Sequence, residues 1–340
     1  MKKLLVLMSV CTLVMGLFVF AGCSKKEKAP LAGDAKIQVV FAGTEGDASG
    51  QSRMMKEAAE VLNKTGRYDV KVFTAGSLSG DTDDLVQQAR AGGNLVIPSD
   101  PGRLASQFQI PDLNILMAPY VLTDYTLLDK LPQTELYKTW QAELEKQGVV
   151  LLADMFNGFR NFYTIKDVAK LADLKGLRIR GFGNAIGNAL AKYLGYAQTT
   201  MNATDIYSGI QAKSLDGCEI QASTADSYRL YEVTGSLAIT KHYMLQSSFV
   251  CGKALLDKLP AAEKEFFTTT VSDVAAKYSK IIADEEQGYY DAYKSKGAGK
   301  TNINAVDIKE FSAAVAPLYT NNDLKMSPGL KDALFAQLGL

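Results

Sequence analysis

The sequence predicts an α/β fold in two lobes, with a hinge between them and a long helix that spans both. Residues 36–98 read strand, helix, strand, helix, strand, an order that builds a parallel sheet through right-handed crossovers. A second group of strands and helices follows over 158–245, and Ser247–Cys251 then reads as a strand returning to the first group. The chain therefore crosses between lobes more than once, which makes a hinge. Pro260–Tyr293 reads as one long amphipathic helical stretch. The 340 residues suffice for two domains of ordinary size.

Met1-Lys2-Lys3 is a charged start, Leu4–Phe20 an apolar run, and Ala21-Gly22 a small pair before Cys23. This predicts an export signal over residues 1–22. The small pair resembles a bacterial lipobox, with Phe20 where leucine is usual, so Cys23 is expected to carry lipid and anchor the chain to a membrane. Residues 23–35 are Lys-, Pro- and Gly-rich and predict a flexible tether.

The first domain is expected over 36–157 with 246–285. Lys36–Phe41, Tyr68–Phe73 and Asn94–Pro98 are its strands. Gln51–Asn63 and Asp81–Arg90 are its helices, the latter capped by Asp81 or Thr82. Asp100-Pro101-Gly102-Arg103 reads as a turn. Leu113–Leu122 reads as an apolar strand or extended run, Leu136–Gln147 as a helix and Val149–Phe156 as a strand. Loops at strand carboxyl ends would bring Gly43, Thr82 and Asp100–Arg103 to one rim. Asn157–Arg160 is expected to begin the crossover. The second domain, 158–245 with 286–340, would hold a strand ending at Arg180, helices Ala185–Leu194 and Thr204–Ala212, and a strand near Cys218–Gln221. Residues 301–340 add short helices.

Composition excludes several classes. Lys plus Arg and Asp plus Glu are both 37, and no basic block points to nucleic acid or anionic lipid. His242 is the only histidine, so a His-rich zinc site is excluded and a catalytic triad would rest on that one residue. There is no Cys-x-x-Cys spacing; Cys218 and Cys251 read as small buried side chains in separate strands, with a disulfide between them as the alternative in an exported chain. No metal or other cofactor is implied. Trp140 reads as core.

Leu177-Arg178-Ile179-Arg180 alternates apolar and basic residues and then meets Gly181-Phe182-Gly183-Asn184, where a helix begins. Asn184 or a neighbour would cap that helix. Arg180 thus sits where a strand ends and a helix starts, suited to hold a carboxylate through two parallel hydrogen bonds. Gly181–Gly187 also approximates a dinucleotide fingerprint with one extra residue, which would make the chain a nucleotide-cofactor oxidoreductase.

Four segments in order resemble the substrate-binding subunits of tripartite ATP-independent periplasmic (TRAP) transporters. They are Asn157-Gly158-Phe159-Arg160, Leu174-Lys175-Gly176-Leu177 through Arg180, a Tyr before Asp216-Gly217-Cys218-Glu219, and Tyr231-Glu232-Val233. Gly76-Ser77-Leu78 and Ala118-Pro119-Tyr120-Val121 extend the likeness over nearly the whole exported chain. The resemblance implies the two-domain periplasmic solute-binding protein fold and no enzymatic activity. It also implies a monomer that carries a small carboxylate to membrane permease subunits. Arg180 would clamp the carboxylate with Arg160 assisting, and Asp100 and Arg103 fall on ligand-contacting positions. Phe182 and Asn184 follow the anchor. Phe182 stands where the family has a small ring, and Ile220 where it has an asparagine, so the rest of the pocket is expected to be more apolar than is usual. His242 is expected to make a hydrogen bond near the hinge. A sensor or surface-binding lipoprotein of the same fold is the alternative.

Overall fold

The computed structural model describes residues 36–340; the predicted signal, Cys23 and the tether lie outside them. Strands β1 (Ile37–Ala42), β2 (Tyr68–Phe73) and β3 (Leu95–Ser99) run parallel in the order β2-β1-β3, connected through α1 (Gly50–Lys64) and α2 (Thr82–Arg90). The caps set where these helices begin. The Ser49 hydroxyl accepts from the Ser52 N–H, and the Asp81 carboxylate accepts from the N–H groups of Asp83 and Asp84.

Two expectations fail after β3. Asp100–Arg103 is the cap and first turn of α3 (Pro101–Phe108), not a free turn. Asp100 accepts from the Arg103 N–H at 2.9 Å, and Pro101 is pre-set for the first helical position. The apolar run from Leu113 is not extended. Pro111–Met117 winds into a 3-10 helix buried from Leu113 to Met117, and an apolar run buried on all sides has no periodicity to distinguish strand from helix. Helix α4 (Glu135–Lys146) follows as predicted.

The strand β4 (Val149–Thr164) is 16 residues long and runs straight through the predicted crossover. Asn157–Arg160 therefore lies inside a strand. Gly158, at φ +107°, sits where the register shifts between Phe156 and Phe159, so the strand bends there without ending. Before the bend β4 pairs antiparallel with β9 (Met244–Gly252). After it, β4 pairs antiparallel with β7 (Gly217–Gln221) and β8 (Ser236–Ile239).

On that far side β5 (Arg178–Gly181) lies between β7 and β6 (Ala197–Thr200), parallel to both. Helices α5 (Ala185–Leu194), α6 (Ile206–Gln211) and α7 (Ala222–Ser227) follow β5, β6 and β7 in turn. β9 returns the chain to the first strands, pairing antiparallel with β3 as well as β4, and leads into α8 (Lys253–Asp257). The short β6, β8 and β10 (Asn302–Ala305) had no strand signal; β6 and β10 are largely solvent-facing, without clean alternation.

Helix α9 (Ala261–Lys296) is 36 residues, roughly 54 Å at 1.5 Å per residue. Its first half buries Phe267, Val271 and Val274 against Val39, Phe41 and Tyr68. Its last turns bury Tyr290 and Tyr293 against Tyr163, Ile206 and Cys218. One helix thus serves the cores on both sides of the β4 bend. Helices α10 (Ile308–Val315), α11 (Pro317–Thr320) and α12 (Leu330–Leu338) close the chain. Cys218 and Cys251 are buried and unbonded, as expected.

Candidate functional site

The carboxyl ends of the parallel strands converge on one cleft, the usual ligand position in open α/β sheets. The loop after β1 supplies Thr44 and Glu45, the end of β3 supplies Ser99 and Asp100, the end of β5 supplies Arg180 and Phe182, and the end of β7 supplies Gln221. An outer cavity of about 450 Å³ opens past Thr82, Asn184 and Asn202. A smaller inner chamber of about 60 Å³ lies against Glu45, Ser99 and Gln246. Arg180, Phe182 and Arg103 line both. Helices α2, α3 and α5 all begin here, at Asp81, Asp100 and Asn184, so their positive ends face the cleft.

Three guanidinium groups surround the Phe182 ring, with Arg160 at 4.5 Å, Arg103 at 5.4 Å and Arg180 at 5.5 Å from its centroid. Their partners differ. Arg160 is buried within β4 and has its charge met from inside. Its Nε donates to Glu219 Oε2 at 2.5 Å, Nη1 donates to Gln221 Oε1 at 3.1 Å, and Nη2 donates to the Glu219 carbonyl. Arg103 pairs with Asp100 at 3.1 Å and Asp83 at 3.2 Å. Arg180 is 3% exposed, and its Nε donates to the Met201 carbonyl at 3.1 Å. No carboxylate among the described residues lies within 4.0 Å of it. Burial, then the charge of Arg160, pull its pKa below the ordinary arginine value, with Glu219 only partly offsetting them. Arg180 is therefore a buried cation short of an anion.

Glu219 holds the arrangement together. Burial alone would raise its pKa, but the Arg160 charge and hydrogen bonds from His242 and Arg160 hold it at about 2. The His242 ring lies 3.4 Å from Glu219 through Nε2 and 2.8 Å from the Thr240 hydroxyl through Nδ1. Burial lowers the His242 pKa, and the neutral ring fits both contacts, donating to Glu219 and accepting from Thr240. The network extends through Gln221, whose Nε2 donates to Glu45 Oε1 at 2.8 Å, while Asn157 Nδ2 donates to the same oxygen at 3.0 Å. Burial raises the Glu45 and Asp100 carboxyl pKa values, against hydrogen bonds at the first and the Arg103 charge at the second.

Every residue predicted for the site within the described range lines the cleft: Arg180, Arg160, Arg103, Asp100, Phe182, Asn184 and Ile220. Asn184 caps α5, accepting from the Gly187 N–H at 3.0 Å. The glycines of the turn have a packing reason. A Cβ on Gly183 would meet Thr200 at 2.7 Å, and one on Gly187 would meet the Phe182 carbonyl at 2.1 Å. The lining of the inner pocket is mixed. Ile220 does line the chamber, but Glu45, Ser99, Gln221 and Gln246 line it too. Sequence reasoning missed Glu45 and Gln246; the only local signal for Glu45 was its place in the glycine-flanked loop closing β1.

The sequence profile of the bacterial extracellular solute-binding proteins, family 7, matches residues 41–324. The chain belongs to that family, the one to which the substrate-binding subunits of TRAP transporters belong. It is 29% identical over 265 residues to a solute-binding protein of Verminephrobacter eiseniae, covering 77% of each chain. It is 25% identical over 287 residues to the sialic acid-binding periplasmic protein SiaP of Vibrio cholerae, covering 84% of this chain and 87% of that one. A TRAP periplasmic solute-binding protein of Actinobacillus succinogenes, solved with bound L-galactonate, superposes with a TM-score of 0.83 at 24% identity, over 89% of this chain and 99% of that one. The fold is thus the two-domain solute-binding protein fold with a long helix.

The Arg160–Glu219 pair generates a prediction. Glu219→Gln leaves the buried Arg160 charge without its anion and should lower stability by about 3–5 kcal/mol in urea unfolding. Because the folded pKa of about 2 lies below the ordinary 4.5, the wild-type contribution is complete above pH 4.5 and disappears as pH falls toward 2. The stability gap between wild type and variant should narrow over that window. A gap that is constant with pH contradicts the assignment.

Proposed function

We propose that this chain is an extracytoplasmic solute-binding lipoprotein that captures a small organic carboxylate and delivers it to a TRAP-type membrane permease. The observation that carries the reading is Arg180: a guanidinium buried at a strand end, facing three helix N-termini, with no acidic partner of its own. A carboxylate supplies the missing charge and accepts the planar fork of N–H donors. Arg160 and Arg103 flank the ligand, Phe182 and Ile220 pack against it, and Asn184 and Asp100 complete the shell. Residues 36–157 with 246–285 and 158–245 with 286–340 act as two lobes that close on the ligand about the β4 bend, excluding water and strengthening the ion pair. Lipid on Cys23 holds the protein at the membrane, where the permease receives the ligand.

Arg180→Ala should weaken carboxylate binding by about two orders of magnitude or more, the cost of losing one partner of a buried charge pair. Arg180→Lys should restore part of it. Arg178→Ala is the control, since Arg178 is exposed and engaged with Asp216 at 2.9 Å. Retention of affinity within a few-fold by a folded Arg180→Ala protein, measured by calorimetry, overturns the anchor. Small-angle scattering should show a smaller radius of gyration at saturating ligand; an unchanged radius argues against lobe closure. In cell fractionation Cys23→Ala should leave the membrane fraction or accumulate uncleaved. Membrane retention with the signal removed would exclude the lipid anchor.

A further inference from the structure

The loop between β1 and α1 reaches past the β4 bend through three consecutive residues. Glu45 Oε1 accepts from Nε2 of Gln221, the last residue of β7, at 2.8 Å. The Thr44 carbonyl accepts from the hydroxyl of Tyr228, just beyond α7, at 3.3 Å. Gly46 faces Ser227, where an added Cβ would lie 3.6 Å from Ser227 Cβ. Each half of this contact is fixed on its own side. The Glu45 carbonyl accepts from the Ser52 hydroxyl at 3.1 Å and from the Ala75 N–H at 2.7 Å, which ties the loop to α1 and to the end of β2. On the far side Gln221 Oε1 accepts from Arg160 at 3.1 Å, and Gln221 Nε2 also donates to the Thr224 hydroxyl at 2.6 Å. Neither half has to be ordered in order to meet the other, so little entropy opposes the contact.

We infer that Thr44, Glu45 and Gly46 form one half of a clasp, with Gln221, Ser227 and Tyr228 as the other, that closes the lobes on each other through protein groups alone. The free protein then exchanges between open and closed arrangements, and the clasp sets the closed fraction. This rests on the two-lobe reading above. A rotation about the β4 bend that parts α7 from the loop stretches both hydrogen bonds, and a bond stretched past about 3.5 Å is lost. The Asn157 bond to Glu45 Oε1 lies at the bend itself and keeps the carboxylate oriented through that motion. Neither clasp bond draws on the donors of Arg180, so closing gains a contribution that the solute does not supply. The clasp thereby tunes affinity from outside the anchor. Apparent affinity scales with the fraction of protein already in the binding-competent arrangement. A closed fraction also shuts the cleft to entry, so the clasp slows capture and slows release together.

The test is disulfide trapping in exhaustively dialysed protein with no small molecule added. Gly46→Cys combined with Ser227→Cys sets two thiols at a Cβ separation of 3.6 Å, inside the disulfide range of about 3.5–4.5 Å. The parent chain, whose Cys218 and Cys251 are buried, is the control. Under mild oxidation the new pair should cross-link. Adding Glu45→Ala or Tyr228→Phe should each slow the reaction about three- to tenfold, the effect of roughly one hydrogen bond on the closed fraction. Tyr228→Phe removes only a hydroxyl, so it decides the question even where Glu45→Ala fails to fold. A pair that stays reduced overturns the clasp, and so does cross-linking at one rate in all three backgrounds. Small-angle scattering keeps the underlying reading separate. The cross-linked protein should have a smaller radius of gyration than the same protein reduced; cross-linking with an unchanged radius overturns the two-lobe motion itself.

Discussion

The site depends on burying a guanidinium that the protein itself neutralises next to one that it does not. Arg160 and Arg180 are both almost fully buried, and the charge of Arg160 lowers the proton affinity of Arg180. Glu219 makes this tolerable. It lies against Arg160, accepts from it, and stays ionised because that attraction exceeds the cost of its own burial. Glu219 is paired with Arg160, and Asp83 and Asp100 with Arg103, while no carboxylate among the described residues lies within 4.0 Å of Arg180. The remaining positive charge sits on Arg180, where the helix N-termini of α2, α3 and α5 add to it. The anion preference follows from where these pairs form, next to Arg180 and not on it.

The topology decides why these groups meet. Arg160 lies past the bend in β4, Glu219 and Gln221 lie on β7 beside it, and Glu45 lies in the loop between β1 and α1. Gln221 joins them, accepting from Arg160 and donating to Glu45 across 176 residues of sequence. Had the chain left the sheet at Asn157, Arg160 would not stand in register with Gln221. Gly158 is what allows the strand to continue: its φ of +107° is a backbone state that a side-chain-bearing residue rarely adopts. A second side chain would also press on Gln221, since a Cβ there would lie 3.0 Å from Gln221 Cβ.

What was legible in the sequence was mostly local. The Asn184 cap, the end of β5 next to Arg180 and the Asp81 cap of α2 depend on residues within a few positions of one another, and the structure has them at or within a residue of where the spacing put them. The parallel strands of the first group alternate or run apolar long enough to be read. The 3-10 turn at Pro111–Met117 was illegible because burial on all sides erases periodicity. The partners of Arg160 were illegible for a different reason. Nothing near Arg160 in sequence indicates whether its charge will be met by an internal acid or left for a ligand; that is settled by a strand 59 residues away. Phe182 and Ile220 could be read as pocket residues from their places beside the anchor and the β7 turn, whereas the polar residues next to them arrive from the loop after β1, from β3 and from β9.

Phe182 connects this placement of charge to ligand capture. A guanidinium binds partners in two ways, through its flat faces and through the N–H groups at its edges. An aromatic ring engages the faces and leaves the edges unspent. With Arg103, Arg160 and Arg180 all within 5.5 Å of its centroid, the Phe182 ring shelters their faces from water without consuming donors. A polar side chain at the same place would accept from one of the three, and Arg180, whose one hydrogen bond among the described residues is to the Met201 carbonyl, would be the one with donors to give. A large apolar ring beside three cations is therefore compatible with anion binding: it lowers the local dielectric, keeps the Arg180 fork open, and divides the outer cavity from the inner chamber at the residue that lines both.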